Sequence, residues 1–371
     1  MGGKAGGSVS DVIISGYYGL GNSGDEALLK SIVDDLKSVN PDITITALSG
    51  NAQLTKKNYG IKTIGRFDLF AILREFRSAK LLISGGGTLI QDATSTKSLL
   101  YYLGIIRIAQ LFKTKVMLYA NGIGPIKDKN IRKVKKVLDK TDVITLREND
   151  SLKEIERCNI NGPDIKITAD PAFNLRSADK SRVDEILAQF DIPCNKKTII
   201  VSVREWIYNM EDFNEQMAKS LDDISELGYY VVFMPMQMSK DYKISVDISN
   251  LMKNKSSVID RELAVDEMLA VIGRSEMACG MRLHMLIFAS VMDVPMVGIV
   301  YDPKVRGFME YMNQKNYVYL EKFNSEEFTK MFSEINDNLY TIKKDIKTAS
   351  DKLRIAAQKN ARYAIELLEH N

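Results

Sequence analysis

Histidine and cysteine are both scarce in this sequence of 371 residues, and their scarcity narrows the chemistry before any motif is read. Only His284 and His370 are present, the second in a tail that reads as frayed, so imidazole chemistry must use His284. Cys158, Cys194 and Cys279 lie far apart with no C-x-x-C pair, which argues against a zinc site or a disulfide framework and for a reducing compartment. No metal and no resident cofactor are expected. The longest apolar run, residues 99–112, is interrupted by Arg107 and falls short of the roughly 20 residues that a bilayer span needs. Charge of one sign is not in excess: 51 Lys plus Arg face 48 Asp plus Glu, and the formal net charge of +3 requires no nucleic acid while leaving room for local anion sites. The patterns G-x-x-x-x-G-K-[ST], H-E-x-x-H and G-x-S-x-G are missing, so kinase-type, zinc-protease and serine-hydrolase readings have no motif to stand on.

What is present is a repeating pattern. From Val12 onward short apolar runs alternate with longer amphipathic ones, the signature of β-α units around parallel sheets, which predicts an α/β fold of two domains for a chain of this length. Strands are expected at 12–15, 43–48, 81–84, 116–120 and 143–146, then at 198–202, 229–234, 276–278 and 295–300. Helices are expected at 26–39 and 131–140 and through the tail from Ser325 to Leu368. Residues 1–8 read as a flexible tag remnant, 9–175 as a first open α/β domain, 176–196 as a linker that holds one short helix, 197–345 as a second open α/β domain, and 346–371 as a terminal helix. Two such domains would bring their βα loops to a shared cleft, where the ligands of open parallel sheets bind.

The loops after the strands carry the candidate chemistry. Gly19-Leu20-Gly21-Asn22-Ser23-Gly24 satisfies G-x-G-x-x-G between a strand and a helix, but the second strand ends in Thr46-Ala47-Leu48-Ser49 without the acid that would bind ribose hydroxyls. Nicotinamide and flavin are therefore discounted. The free N–H groups of a helix start still suit an anion or a hydroxyl, with Asn22 close by. Asp25 and Glu26 serve either as helix-dipole partners or as a hydrogen-bonding group for a substrate hydroxyl. Ser84 to Asp92 places Gly85, Gly86 and Gly87 after a buried strand, followed by Thr88, Gln91 and Asp92, a set that suits a sugar or, more plainly, a turn and a cap. Arg147-Glu148-Asn149-Asp150-Ser151 ends the fifth strand and faces the same crevice, or is an ordinary helix start with Asn149 as its cap.

In the second half Arg204 follows a strand, and Arg282-Leu283-His284 opens an apolar helix whose dipole disfavours a cation in its first turn, so an anionic ligand would compensate. The helix start disfavours charge on His284 while a bound phosphate favours it, which makes His284 a candidate proton donor, the alternative being a structural histidine. Lys304 and Arg306 follow the last strand, so up to four cations are expected at one rim, fit for a small polyanion. The stretch Lys127–Lys140 holds seven Lys or Arg; a solvated face is its plainer reading and a peripheral contact with the inner membrane face the other.

Taken together, Gly19–Leu29 (GLGNSGDEALL), Ser84–Asp92 (SGGGTLIQD), Asn121–Pro125 (NGIGP), Ser202–Arg204 (SVR) and Arg282–His284 (RLH) resemble the polysaccharide pyruvyl transferase family, in particular its CsaB-type cell-surface anchoring members. The resemblance implies a GT-B-like fold and transfer of pyruvate from phosphoenolpyruvate to two sugar hydroxyls as a cyclic ketal, with release of phosphate. For CsaB-type members it implies an N-acetylmannosamine of a lipid-diphosphate-linked secondary cell-wall polymer precursor, pyruvylated at positions 4 and 6 in the cytoplasm to anchor surface-layer proteins. It also implies that Arg204, Arg282 and, less directly, Lys304 hold the donor with His284, while Asp25 or Asp92 accepts a hydroxyl proton. Asn22, Gly86, Gly87, Thr88, Arg147 and Leu283 complete the expected binding residues. A GT-B nucleotide-sugar glycosyltransferase and a sugar-binding protein without catalysis remain the alternatives.

Overall fold

The computed structural model describes residues 10–93, 95–206 and 211–369; the expectations for residues 1–8 and His370 lie outside the described residues. Two compact units divide the chain. One takes the residues up to Leu20, Asp25–Asn174 and those from Leu353 on, and the other takes Gly21–Gly24 and Leu175–Lys352.

The first unit is built on strands β1 (Val12–Ser15), β2 (Ile45–Ser49), β3 (Lys62–Gly65), β4 (Leu81–Gly85), β5 (Lys115–Asn121), β6 (Val143–Leu146) and β7 (Asp164–Ile167). All pair in parallel, in the order β3-β2-β1-β4-β5-β6-β7. Helices α1 (Ser23–Val39), α2 (Ala52–Tyr59), α3 (Leu69–Phe76), α4 (Thr96–Leu111), α5 (Asp128–Leu138) and α6 (Asn149–Arg157) supply the crossovers. Side chains alternate across a strand, so Ile13, Leu82 and Ile144 join the core beneath α3 to α6, while Val12, Ile14, Leu81 and Ile83 pack beneath α1. Both faces are covered in the middle of the sheet, which is why its interior strands are continuous apolar runs. Helix starts are set by local caps: Asn51, Asp68 and Ser95 each accept the N–H three residues on.

On α1 a half-buried Asp35 accepts hydrogen bonds from the Asn174 amide at 2.8 Å and the Tyr119 hydroxyl at 3.5 Å. Burial first, and the like charge of Asp34 with it, push its carboxyl from the ordinary 3.8 up to about 7 against those hydrogen bonds. A raised carboxyl pKa contributes stability that is fully present below the unfolded value and is lost as pH climbs through about 7. Asp35→Asn is therefore expected to leave stability little changed at pH 4 and to raise it at pH 8 by roughly 1–3 kcal/mol, within a linkage ceiling of about 4 kcal/mol. Denaturant melts at the two pH values check this, and an equal effect at both would refute it.

The second unit carries α7 (Lys180–Gln189), β8 (Lys197–Ser202), α8 (Phe213–Glu226), β9 (Tyr229–Phe233), α9 (Met238–Leu251), β10 (Ser256–Val258), α10 (Val265–Gly273), β11 (Met277–Gly280), α11 (Leu283–Val291), β12 (Met296–Val300), α12 (Pro303–Tyr311), β13 (Tyr317–Tyr319) and α13 (Ser325–Asp337). Its parallel sheet runs β10-β9-β8-β11-β12-β13. Residues 176–196 are not the linker expected of them. The second unit starts at Leu175, α7 buries Val183, Ile186 and Leu187, and Arg182 pairs with Glu267 of α10 at 2.6 Å. The terminal helix also starts earlier than expected: α14 (Leu339–Glu369) belongs to the second unit as far as Lys352 and to the first from Leu353, where Asn360 binds Thr168 and the Ala169 carbonyl.

Candidate functional site

Each sheet has one place where the strand order reverses, between β1 and β4 in the first and between β8 and β11 in the second. At such a point the loops leaving the two strands depart in opposite directions and open a crevice at the carboxyl ends, where α/β sheets bind ligands. The glycine-rich segments follow β1 and β4, and the SVR and RLH segments follow β8 and β11. The motifs thus sit at both reversals.

In the first unit Gly19 (φ 70°), Gly86 (φ 63°) and Gly87 (φ 70°) adopt left-handed backbone that side chains resist. The Tyr18 hydroxyl donates to the Gly85 carbonyl at 2.6 Å. The Glu26 carboxylate accepts the Gly19 N–H at 2.7 Å and the Tyr59 hydroxyl at 2.8 Å, which makes it a brace of the loop. Asn22, in the Gly21–Gly24 stretch that belongs to the second unit, accepts the Gly24 N–H at 3.1 Å at the start of α1, a use of its side-chain oxygen that differs from the substrate contact expected of it.

Arg147 is only 6% exposed and lies among acids. Its Nη1 donates to Asp170 at 2.7 Å and its Nη2 to the Thr88 hydroxyl at 3.2 Å, with Glu148 3.7 Å from Nε. Burial works against its charge, but Glu148, Asp170 and Asp25 outweigh burial and hold the guanidinium more firmly protonated than usual. The Asp25 carboxylate borders Gly87, where an added Cβ would approach it to 3.4 Å. Asp25, Gly87, Thr88 and Arg147 are therefore brought together, along with Glu148 and Asp170, which no glycine or spacing signal had marked.

Asp92 does not join them. It is fully buried and accepts the Lys127 N–H at 2.8 Å and the Asn130 amide at 2.6 Å, tying down the start of α5. Burial opposes its charge, yet those hydrogen bonds prevail and keep its carboxyl below the usual range. A sealed, strongly ionised carboxylate is a poor proton acceptor, so Asp92 is corrected from candidate base to structural anchor.

In the second unit the register sets Ser202 beside Gly280 and Gly280 beside Gly298, so the chain ends carrying Arg204, Arg282 and Tyr301 emerge from neighbouring strands. The Arg204 N–H donates to the Met281 sulfur at 3.3 Å. The Arg204 guanidinium stacks 4.9 Å from the Trp206 ring and 5.0 Å from the Tyr301 ring, and its Nη1 donates to the Tyr301 hydroxyl at 2.9 Å. Two aromatic rings fix its plane, and its buried Nε has no hydrogen-bond partner among the described residues. A rigid fork of this kind suits a carboxylate or phosphate.

Arg282 is a different case, because it has a carboxylate of its own. Its Nε and Nη2 donate to Asp241 at 3.0 and 2.6 Å, and Nη2 also donates to the Gln237 side-chain Oε1 at 3.3 Å. Asp241 is fully buried. The expected free cation is thus a paired one, positioned at the N-cap of α11 with Nη1 outside these bonds. Leu283, 7% exposed, buries its side chain in the core, so only its N–H, at the first helical position, could meet a ligand.

His284 is half-buried on the first turn of α11, its ring against Gly24 and 6.2 Å from that of Phe288. A Cβ on Gly24 would fall 2.2 Å from the imidazole Nδ1, so the third glycine of the loop is required by this histidine. Lys304 lies in the first turn of α12, 3.4 Å from Asp302. Arg306 is exposed and turned toward Glu310 at 3.7 Å. The four expected cations therefore reduce to a braced Arg204, a paired Arg282 and a partly neutralised Lys304, with Arg306 engaged by Tyr319 of β13 and by Glu310 of its own helix.

Residues 22–303 match the family of polysaccharide pyruvyl transferases. The amylovoran biosynthesis protein AmsJ of Erwinia amylovora is 22% identical over 356 residues, covering 81% of this chain and 86% of that protein. Among solved structures, the Staphylococcus aureus MnaA–UDP complex aligns with a TM-score of 0.69 at 9% identity, covering 97% of this chain and 98% of that one. Anabaena Alr3699/HepE in complex with UDP-glucose aligns with a TM-score of 0.65 at 10% identity, covering 96% and 99%. At such identities these structures speak for the fold alone, which is GT-B-like.

Proposed function

We propose that this chain, which belongs to the polysaccharide pyruvyl transferase family, moves pyruvate from phosphoenolpyruvate onto the 4- and 6-hydroxyls of an N-acetylmannosamine in a lipid-diphosphate-linked cell-wall polymer precursor. The observation that supports this reading is that the segments carrying Arg204 and Arg282-Leu283-His284 leave neighbouring strands at the strand-order reversal of the second sheet. Phosphoenolpyruvate carries a carboxylate and a phosphate on three carbons, and its site needs fixed cations beside one proton donor. Arg204 holds one anionic group through its fork, and Arg282 Nη1 with Lys304 contacts the other.

His284 donates its proton to the methylene carbon, which becomes a methyl group, and the neighbouring carbon becomes an oxocarbenium centre. One sugar hydroxyl attacks that carbon and gives up its proton to a carboxylate, the role proposed for Asp25. Cleavage of the carbon–oxygen bond expels phosphate, the second hydroxyl closes the ketal as its proton passes to the departing phosphate, and the proton held by Asp25 returns to His284 through solvent. The reaction belongs to the cytoplasm, and its product adds a carboxylate to a sugar that was neutral. In a CsaB-type enzyme that charge anchors surface-layer proteins. The AmsJ relative, named for amylovoran biosynthesis, supports a growing polysaccharide as the acceptor.

Phosphate release from phosphoenolpyruvate, measured with and without a lipid-diphosphate-linked N-acetylmannosamine acceptor, tests the proposal. Release is expected only with acceptor present, together with a product heavier by one pyruvyl ketal. Turnover of a UDP-sugar with no response to phosphoenolpyruvate would establish the glycosyltransferase alternative, and binding of sugar with no turnover of either donor would leave a binding protein.

A further inference from the structure

The first unit carries an apolar and basic face that the proposed reaction does not use. Helices α3 and α4 lie side by side: Phe67, just before α3, meets Tyr101 of α4 with ring centroids 5.5 Å apart, and Phe76 stacks on Phe112 at 6.3 Å toward the other end. Their inner sides, with Ile72, Phe76, Tyr102 and Ile106, belong to the core. Their outer sides lack the polar character of an ordinary solvent face. Phe67 and Phe70 are each 78% exposed, and Leu111 is 74% exposed. Phe70, Arg74 and Arg77 follow helical spacing along one stripe of α3, with the exposed Phe67 in the turn before it, and Lys97, Leu100, Gly104, Arg107 and Leu111 follow it on α4. At about 1.5 Å per residue the α4 stripe runs for more than 20 Å.

Acids are nearly missing from this face. Helix α4 contains none, and Glu75 of α3 is buried with Lys62 and Thr46. Asp68 remains, occupied in capping α3 through the Ala71 N–H. The bordering helix α5, tied to α4 by the Gln110 amide on the Val137 carbonyl at 2.9 Å, adds exposed Lys129, Arg132 and Lys136. Its own Val134, Val137 and Leu138 are buried and Ile131 is partly buried against the core, so α5 offers mainly charge to a lipid phase. No described helix is long and apolar enough to cross a membrane.

We propose that the outer face of α3 and α4 lies on an anionic bilayer surface, with Phe67, Phe70 and Leu111 entering the acyl boundary and Arg74, Arg77 and Arg107 meeting lipid phosphates. Charge selects this occupant. A second copy of the chain on the same face would set these arginines against their own counterparts, which costs energy. An anionic lipid surface satisfies both the aromatic and the basic positions, since such binding adds apolar burial to electrostatic attraction. The inference is independent of the proposed reaction, and its test needs no turnover.

The full chain is sedimented with vesicles of phosphatidylcholine alone or mixed with phosphatidylglycerol. Binding is expected only to the mixed vesicles, weakening at about 0.5 M salt. Phe67→Ser with Phe70→Ser, and separately Arg74→Glu with Arg77→Glu, should each lower partitioning by roughly tenfold or more. Both pairs are exposed, so unchanged circular dichroism and melting temperature are expected of both. Phe67→Trp should show a blue-shifted emission on adding mixed vesicles. Equal binding to neutral vesicles, or binding indifferent to the phenylalanine and arginine pairs, would overturn the proposal. So would a wild-type dimer that the phenylalanine pair dissociates, or retention by an acidic protein surface with no affinity for vesicles.

Discussion

His284→Ala is expected to lower kcat by roughly 10²–10⁴-fold, the range associated with loss of a general acid, with much less change in KM for phosphoenolpyruvate. The imidazole is half-buried and packs on backbone, so circular dichroism and melting temperature should stay near those of the wild type. Gly24→Ala provides a companion measurement. Its methyl group would sit 2.2 Å from the imidazole Nδ1 and must displace the ring, so activity should fall although no reacting group has been removed. Wild-type turnover in the His284 variant would remove this residue from the mechanism and leave it a packing role.

Asp241→Ala is expected to be the most damaging substitution for the fold of the second unit, at about 3–5 kcal/mol, because it strands a guanidinium whose side chain is only 11% exposed. Asp241 also accepts the Gln237 N–H at 2.9 Å, so its loss opens the start of α9 as well. Replacing the pair together, by Arg282→Met with Asp241→Leu, should recover much of that stability, since swapping a buried ion pair for apolar side chains is often close to neutral. Activity should not recover with it. Urea titration read beside phosphate release separates the two effects. An Asp241→Ala protein as stable as the wild type would mean that Arg282 finds water or another partner, and a fully active double variant would remove Arg282 from donor binding.

The strands that the residue pattern revealed, and those it hid, differ in one respect. Every interior strand of both sheets was legible as an apolar run: β2, β1, β4, β5 and β6 in the first, and β9, β8, β11 and β12 in the second. The four that were not, β3, β7, β10 and β13, are the four sheet edges. An edge strand gives up burial on one side, and here it is written in short polar or mixed segments such as Lys62-Thr-Ile-Gly65 and Asp164-Ile-Lys-Ile167, which carry no run to detect. The same reasoning accounts for α7, whose polar exterior disguised the buried Val183, Ile186 and Leu187 and made a packed helix resemble a linker.

By itself the sequence determined that β-α units repeat, that glycine and arginine cluster after particular strands, and that His284 is one of only two histidines. Those are properties of local composition and spacing. Only the tertiary structure decided which charges remain available to a ligand. Asp241 neutralises Arg282 from 41 residues away, and Asp170 engages Arg147 from 23, through pairings that no local pattern records. Asp92 was likewise claimed by Asn130, 38 residues on. Electrostatic partners are chosen by proximity in space and by the cost of burying an unmatched charge, and both come into being only when the sheets close against their helices.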